Sequence, residues 1–361
     1  MSAGRYFSAT YAEARDRFRA AAAAAGGIPD RFDHPLKGPG GEALAADTAW
    51  FGPREAARAL VLVSGTHGVE GFCGSGAQVG WIEQGGPKRL SAGLGVLAIH
   101  AINPHGFAWL RRVTEDNVDL NRNFADFAKP LPKNPAYDEI AQAVCPKVWT
   151  GKGRKTADAA LAAYAARHGD FALQSAITGG QYRHAGGLFY GGKGPTWSHR
   201  TLKAAAAKHL ARARHVAMID FHTGLGPYGY GELICPHPPG SAVVKRAEAW
   251  FGKEMTVPAR GNSASAVIVG TLGAGLAAAL PGAALTDIGL EYGTQPQKDV
   301  MLALRADNWL HLHGDPQSPE GRAIKKQIRA AFYPDKDDWK DKVLARALEV
   351  IGRAAANLAK A

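Results

Sequence analysis

Four short apolar runs, each leading into polar residues, constrain the fold of this chain more than any other feature. They are rich in β-branched residues or leucine and have the length of buried strands. The runs are Ala59–Ser64, Gly95–Ile102, His215–Phe221 and Leu285–Glu291. Helical stretches lie between them, for instance Leu202–Arg214 and Ala242–Phe251. Strands that alternate with helices predict an α/β fold with a mixed, mostly parallel twisted sheet flanked by helices.

The rest of the chain fits one domain. A chain of 361 residues, 46% hydrophobic and 21% charged, is ordinary for a globular protein. We predict a single domain over 1–361, with an insertion at about 130–200 and a helical C-terminal part from about 300. The N-terminus reads as an amphipathic helix and not as a signal peptide, and no apolar run is long enough to span a bilayer. A cytoplasmic location is therefore expected.

Charge and cysteine usage narrow the function classes. The formal net charge is +11, but the basic residues are scattered and no nucleic-acid-binding motif accompanies them. We expect neither nucleic acid nor a membrane as partner, and the charge suits attraction of carboxylate-bearing substrates. The three cysteines, Cys73, Cys145 and Cys235, are odd in number and far apart, which argues against disulfides and against a thiolate zinc site.

The turn after the first run carries a metal-binding pattern. In GTHGVEG, His67 and Glu70 are three residues apart, so that one imidazole and one carboxylate can meet on a single cation. Catalytic zinc usually takes three protein ligands and leaves one position for water. His222, directly after the third run, is the best candidate for the third ligand, because ligands bind at the carboxyl ends of strands in α/β sheets. The sequence predicts one zinc ion per chain.

Two further strand ends supply polar groups. Glu291 ends the fourth run, where a carboxylate is costly to bury unless it is paired or functional. It is a candidate general base beside the metal. The segment that follows the second run contains Arg112, Asn121 and Arg122, and arginine suits the recognition of carboxylates and the stabilisation of an oxyanion.

The combination of these pieces resembles the zinc carboxypeptidases of the carboxypeptidase A type. From about residue 59 to residue 293 the chain contains, in this order, HxxE, NP-x-G, R…VDLNRNF, a strand-end DFH and a strand-end glutamate. Details such as LRRVTEDNVDLNRNF and DFHTGLGPYGYGEL resemble a bacterial branch of that superfamily. The stretch between Arg122 and His222 is longer than is typical of the family.

The resemblance implies a role for each matching residue. His67, Glu70 and His222 fall on the zinc ligands, and Glu291 falls on the general base. Arg112 corresponds to the oxyanion-stabilising arginine, and Asn121 with Arg122 to the pair that grips the terminal carboxylate of the substrate. Asp119 corresponds to the carboxylate that orients the first histidine. The mobile tyrosine of the family has three possible matches, namely Tyr228, Tyr230 and Tyr292.

Three other interpretations remain open at this point. Aspartoacylase-like deacylases share the HxxE and DLNR pattern and cleave small N-acyl amino acids in a smaller, more closed pocket, for which the insertion offers a lid. Gly224, Gly226 and Gly229 spell G-x-G-x-x-G after a strand, a pattern of dinucleotide binding. A binding module without chemistry is the third. We expect an amide hydrolase whose substrate is a small peptide or an N-acyl amino acid; the oligomeric state stays open.

Overall fold

A computed structural model describes residues 2–361, which are built around one eight-stranded sheet. The strands are β1 (Ile28–Lys37), β2 (Ala43–Phe51), β3 (Arg58–Val63), β4 (Leu94–His100), β5 (His215–Tyr228), β6 (Glu232–Ile234), β7 (Met255–Thr256) and β8 (Ala284–Gly293). Their order across the sheet is β1-β2-β4-β3-β5-β8-β6-β7. The four central strands, β4, β3, β5 and β8, are mutually parallel. The predicted α/β fold with a mixed, mostly parallel sheet is confirmed.

The four apolar runs became the four central strands because both faces of the sheet are covered. Successive side chains of a strand point to opposite faces. Leu60 and Leu62 of β3 pack into one apolar cluster, whereas Val61 and Val63 pack into another. A strand buried on both faces is apolar at every position, which gives the continuous runs seen in the sequence.

Helices cover both faces. They are α1 (Tyr11–Ala24), α2 (Gly71–Glu83), α3 (Pro104–Ala108), α4 (Leu120–Asn123), α5 (Pro135–Val144), α6 (Gly151–His168), α7 (Asp170–Thr178), α8 (Trp197–His209), α9 (Ala242–Phe251), α10 (Leu272–Ala279), α11 (Gln297–His313), α12 (Pro319–Phe332) and α13 (Asp337–Leu358). None of the helices among residues 2–361 is both long and apolar enough to cross a membrane. The chain from Gln297 onward contains α11, α12 and α13, and α9 has the predicted bounds.

The helix predicted over Leu202–Arg214 begins and ends five residues earlier. The side chain of Thr196 accepts a hydrogen bond from the backbone N–H of His199, and this N-cap sets the start of α8 at Trp197. The region predicted as an insertion, about 130–200, contains α5, α6 and α7, and its Thr178 and Phe189 line the cavity described below. Its status as an insertion stays a prediction.

Candidate metal centre

Three parallel strands bring the predicted site residues to one edge of the sheet. β3 pairs with β5, and β5 pairs with β8, so the carboxyl ends of all three strands meet. His67 follows the end of β3, His222 lies on β5, and Glu291 is the direct partner of His222 on β8. The polar residues that follow separate apolar runs in the sequence therefore lie close together in the structure.

The turn that carries His67 and Glu70 is held against the segment that carries the arginines. The backbone N–H groups of Gly68 and Val69 donate to the carbonyls of Arg112 and Arg111, over 3.2 and 2.8 Å. Only glycine fits at position 68, because a Cβ there would lie 2.0 Å from the carbonyl carbon of Gly106. Glu70 ends this 3₁₀ turn, and α2 begins at the next residue.

His67, Glu70 and His222 form a buried cluster that can hold a metal ion. Each offers one ligand atom, and the three atoms lie within 4.8 Å of one another. Glu70 stands between the two imidazoles: Oε1 lies 3.1 Å from Nδ1 of His67, and Oε2 lies 3.2 Å from Nδ1 of His222. All three residues are less than a tenth exposed, so the cluster is shielded from bulk water.

Each histidine directs its other nitrogen to an aspartate. Nε2 of His67 lies 3.1 Å from Oδ1 of Asp119, and Nε2 of His222 lies 2.8 Å from Oδ2 of Asp220. A carboxylate on the distal nitrogen fixes the ring orientation and the tautomer of a metal-binding histidine. Asp119 therefore contacts His67, and its role in orienting a metal-binding histidine stays a prediction.

Asp220 was missed by the sequence analysis. It lies two residues before His222 on the same face of β5, and a lone carboxylate in an apolar run was the signal that pointed to it. Burial alone lowers the pKa of His222, but the charge of Asp220 and the hydrogen bonds to Asp220 and Glu70 raise it well above its ordinary value.

The donor set fits a divalent cation of the zinc type. Nδ1 of His67 is buried and has no hydrogen-bond partner, although Oε1 of Glu70 lies 3.1 Å away. A buried imidazole nitrogen that faces a carboxylate without a donor between them suits a cation that both can bind. Two nitrogens and one carboxylate oxygen are a ligand set that zinc takes in hydrolases.

Glu70 is surrounded by positive groups and donors. Besides the two histidines, its Oε1 accepts a hydrogen bond from Nη1 of Arg112 over 2.8 Å, and its Oε2 accepts from the backbone N–H of Thr223 over 3.0 Å. Burial on its own raises the pKa of Glu70, but His67, His222 and Arg112 together lower it below its ordinary value. The carboxylate is therefore held in its charged form.

Arg112 connects the cluster of His67, Glu70 and His222 to Asp119. Its Nε donates to Oδ2 of Asp119 over 3.0 Å, and its Nη2 lies 2.9 Å from Nε2 of His67. Three of the five N–H groups of the guanidinium thus face the cluster and Asp119, and the side chain also lines the adjoining cavity.

Glu291 has far fewer partners than Glu70. Its Oε1 accepts one hydrogen bond, from the backbone N–H of Leu225 over 2.9 Å. Burial raises the pKa of Glu291 to about 7, and the negative charge of Glu70 adds to the rise. A carboxylate with a raised pKa and few partners, next to the candidate metal ligands, is suited to the role of a general base.

Asn121 and Arg122 also line the cavity, but part of their hydrogen-bonding capacity is used within the protein. Oδ1 of Asn121 accepts from the backbone N–H of Leu272 over 2.8 Å, and its Nδ2 lies 3.4 Å from Nε2 of His222. Arg122 donates to the carbonyls of Asn121 and Thr178. Its Nε is buried without a partner, so this guanidinium keeps a donor for an acceptor in the cavity.

All predicted site residues except Glu70 and Asp119 line one cavity of about 1020 Å³, counted with its open mouth. Its walls are mainly apolar; they include Phe189, Leu225, Ile234, Ile268, Ile288, Val300, Met301 and Phe332. None of the three candidate tyrosines lines it. Tyr292 is buried and donates to the carbonyl of Val343, Tyr228 donates to Asp338, and Tyr230 is exposed.

The dinucleotide interpretation is wrong. Gly224 and Gly226 lie within β5, which continues to Tyr228, and Gly229 begins a short turn into β6. The phosphate-binding pattern requires a strand that leads directly into a helix, whose N-terminus binds the pyrophosphate. A strand follows here instead.

The fold is similar to that of several solved hydrolases. Carboxypeptidase A from Helicoverpa armigera is 14% identical, with 90% of this chain and 74% of that chain covered and a TM-score of 0.42. Murein-tripeptide amidase from Escherichia coli O157 is 17% identical, with 80% and 93% covered and a TM-score of 0.37. Succinylglutamate desuccinylase from Chromobacterium violaceum is 15% identical, with 84% and 74% covered and a TM-score of 0.36.

A family profile covers nearly the whole chain. No curated protein sequence matches. Residues 7–346 match the family described as "Protein of unknown function (DUF2817)", a span that includes every predicted site residue. The chain therefore belongs to this family.

Proposed function

We propose that this chain is a zinc-dependent hydrolase that cleaves an amide bond next to a free carboxylate, as a metallocarboxypeptidase does. The observation that carries the proposal is the cluster of His67, Glu70 and His222 beside one cavity, with Glu291 on the strand next to that of His222. Three ligands and a carboxylate with one partner are the parts that metal-assisted hydrolysis requires.

His67, Glu70 and His222 would hold the ion. When bound, zinc supplies Lewis-acid polarisation of a carbonyl and acidification of a water molecule. The protein contributes the orientation of the ligands, because Asp119 and Asp220 fix the two imidazoles from behind.

Glu291 moves the proton. One of its oxygens is held by the backbone N–H of Leu225, which leaves the other to accept a proton from the attacking water. The same oxygen then returns the proton to the leaving amine. The N–H groups of Arg112 that are not bonded to Glu70 or Asp119 stabilise the negative charge on the carbonyl oxygen.

Asn121 and Arg122 bind the free carboxylate of the substrate. Arg122 is buried, lines the cavity, and has an Nε without a partner. A guanidinium recognises a carboxylate through parallel hydrogen bonds, which sets the leaving group on the side of α4. The substrate in this proposal is a small peptide with a free C-terminus.

The aspartoacylase-like alternative is a deacylase of N-acyl amino acids. It uses the same metal cluster and Glu291 but requires a smaller and more closed pocket. The two functions predict different substrates for the same chemistry.

Metal content and a substrate panel test the proposal together. Purified protein should contain about one zinc per chain, lose activity with a chelator, and regain it when zinc is restored. The panel consists of N-acylated dipeptides with a free C-terminus, the same dipeptides as C-terminal amides, and N-acyl amino acids. We expect hydrolysis of the first group only. Faster hydrolysis of N-acyl amino acids would favour the deacylase, and zinc-loaded protein without any amidase activity would refute both.

A further inference from the structure

One aromatic ring contacts both arginines of the site. The guanidinium carbon of Arg112 lies 5.3 Å from the centre of the Phe189 ring, and that of Arg122 lies 5.6 Å from it. A cation over an aromatic face within about 6 Å is attracted by the negative charge of that face. Phe189 is 5% exposed, so water weakens this attraction little.

The two guanidinium groups share one carboxylate. Arg112 forms ion pairs with Glu70 and Asp119 over 2.8 and 3.0 Å. Within residues 2–361, the ion pair of Arg122 is with Asp119 alone, over 4.0 Å. Burial lowers the pKa of Arg122, and the charge of Arg112 lowers it further, although the charge of Asp119 raises it. The two buried cations therefore repel each other, and the ring lies where it reduces the cost.

The ring stabilises this positive charge without taking up hydrogen-bond donors. A carboxylate beside Arg122 would accept from its N–H groups and neutralise it, whereas an aromatic face attracts the cation and leaves its charge in place. Nε of Arg122 is buried without a partner, and the side chain lines the cavity. The contact with Phe189 therefore leaves Arg122 both charged and able to donate to an incoming carboxylate.

The backbone conformation of Phe189 indicates that an aromatic side chain is required there. Phe189 lies in a loop of residues 180–191, and its φ of 53° falls in the left-handed region, which bulky residues rarely adopt. Glycine adopts this region freely, and glycine pairs at 186–187 and 191–192 flank the position. Strained residues persist where the surrounding structure holds them, and they cluster at functional sites.

The buried side chain of Gln181 holds this loop in place. Its Oε1 accepts from the backbone N–H groups of Arg183 and His184 over 2.9 and 2.7 Å. Its Nε2 donates to the carbonyls of His184 and Leu188 over 2.8 and 3.3 Å. All four hydrogen bonds that a glutamine amide can form are thus made within the loop. The backbone N–H of Gln181 also donates to the carbonyl of Phe189 over 3.1 Å.

The loop is also attached to the segment that carries Arg122. The backbone N–H of Asp119 donates to the carbonyl of Tyr190 over 2.8 Å. The hydroxyl of Tyr182 donates to the carbonyl of Arg122 over 2.7 Å. A Cβ on Gly180 would lie 2.6 Å from Cδ of Arg122, so glycine leaves room for this side chain. The position of the aromatic ring is therefore fixed relative to the guanidinium group.

We propose that Phe189 is a positioning residue, whose electron-rich ring holds Arg112 and Arg122 in place and keeps Arg122 available for the free carboxylate of the substrate. Phe189 acts through the two guanidinium groups and not on the reacting atoms. The inference rests on the proposed function for the role of Arg122. The carboxylate site then consists of a cation and the ring that stabilises it.

Binding of two matched ligands tests this role without turnover. Leucine carries the free carboxylate, and leucinamide has the same side chain without it. Calorimetry with the purified wild-type protein should show tighter binding of leucine. Replacement of Phe189 by pentafluorophenylalanine nearly keeps the shape of the ring but reverses the charge of its face, and should reduce the preference for leucine about tenfold. Phe189→Tyr keeps an electron-rich face and should keep the preference.

Two substitutions to leucine provide a matched control. Phe332 is buried and lines the same cavity, but Arg112 and Arg122 lie over the ring of Phe189. Phe189→Leu should reduce the preference for leucine over leucinamide, whereas Phe332→Leu should weaken both ligands alike and keep the preference. Equal loss of the preference in these two variants, or its retention in the pentafluorophenylalanine variant, would overturn the assignment.

The same measurements separate this inference from the proposed function. If the preference for leucine depends on Phe189 but no dipeptide is hydrolysed, the proposed function fails and the role of Phe189 stands. If dipeptides are hydrolysed but the preference is unchanged in the Phe189 variants, the role of Phe189 fails and the proposed function stands. Equal binding of leucine and leucinamide by the wild-type protein, or no binding of either, would overturn the inference even where a variant does not fold.

Discussion

Glu70 and Glu291 are two carboxylates of the same site, yet their surroundings differ. Glu70 contacts two imidazoles, a guanidinium and a backbone N–H, whereas Glu291 accepts one backbone hydrogen bond. The pKa of Glu70 lies below its ordinary value, and burial raises the pKa of Glu291 to about 7.

This difference indicates different roles for the two carboxylates. A carboxylate that several partners surround is held in one place and one charge state, which suits a metal ligand. A carboxylate with an unused oxygen can take up and release a proton. Arg122 is comparable to Glu291 in one respect, because its Nε also has no hydrogen-bond partner. Substitution of Glu70 should therefore affect metal binding and stability. Substitution of Glu291 or Arg122 should affect turnover or substrate selectivity.

The largest effect is expected for Glu70→Gln. The variant loses a charged ligand and leaves Arg112 without one of its two carboxylate partners. Zinc content should fall from about one per chain to near zero, with no measurable turnover. The free energy of unfolding should fall by about 3 kcal/mol, as for a broken buried ion pair. Elemental analysis measures the zinc content, and denaturant unfolding measures the stability. A variant that keeps both would show that Glu70 is not a metal ligand.

Glu291→Gln should lower turnover and leave metal binding and stability unchanged. The amide cannot accept a proton from water, so kcat should fall at least about a hundredfold while zinc content and fold are unchanged. Glu232 is the matched control, since it is the partner of Glu291 on β6 but its carboxylate accepts from the hydroxyls of Thr256 and Ser263. Glu232→Gln should reduce kcat far less. Equal losses in the two variants would remove the proton-transfer role from Glu291.

Arg122→Lys should affect only substrates with a free carboxylate. A lysine cannot reproduce two parallel hydrogen bonds, so kcat/KM for a free-carboxylate dipeptide should fall by the equivalent of about 2–4 kcal/mol. The corresponding C-terminal amides should be poor substrates of the wild type and little changed. Because Arg122 also donates to the carbonyls of Asn121 and Thr178, thermal stability is measured in parallel. Parallel losses on both substrates and in stability would assign Arg122 a structural role.

The smallest effect is expected for the aspartates behind the histidines. Asp220→Asn and Asp119→Asn should each weaken zinc binding by about 10–100-fold, because an amide no longer fixes the imidazole that it contacts. Competition with a chromogenic chelator gives the affinity. A zinc Kd that stays at the wild-type value in both variants would show that the rings are positioned by packing alone.

The candidate ligands His67 and His222 were predictable from sequence because each follows a largely apolar run. Together with Glu291, they are polar residues at the ends of apolar runs in the sequence, and this contrast is visible without any knowledge of the pairing. Asp220 and Asp287 lie inside such runs instead. They look like isolated exceptions until the register shows that they share a face with His222 and Glu291.

The outer strands β1, β2, β6 and β7 were not predicted from the sequence, for physical reasons. β1 alternates between half-buried and exposed residues and contains two prolines, and β2 is rich in alanine, which favours helices. β6 and β7 are three and two residues long, too short for any periodicity. The position of α8 was wrong because its start depends on the capping side chain of Thr196.

The pairing of β5 with β8 also has a consequence for the precision of the site. His222 and Glu291 are direct partners on two parallel, hydrogen-bonded strands, so the distance between them is set by backbone geometry and not by flexible loops. Changes in the surrounding loops would then alter which molecules enter the cavity and leave the spacing of these two side chains unchanged.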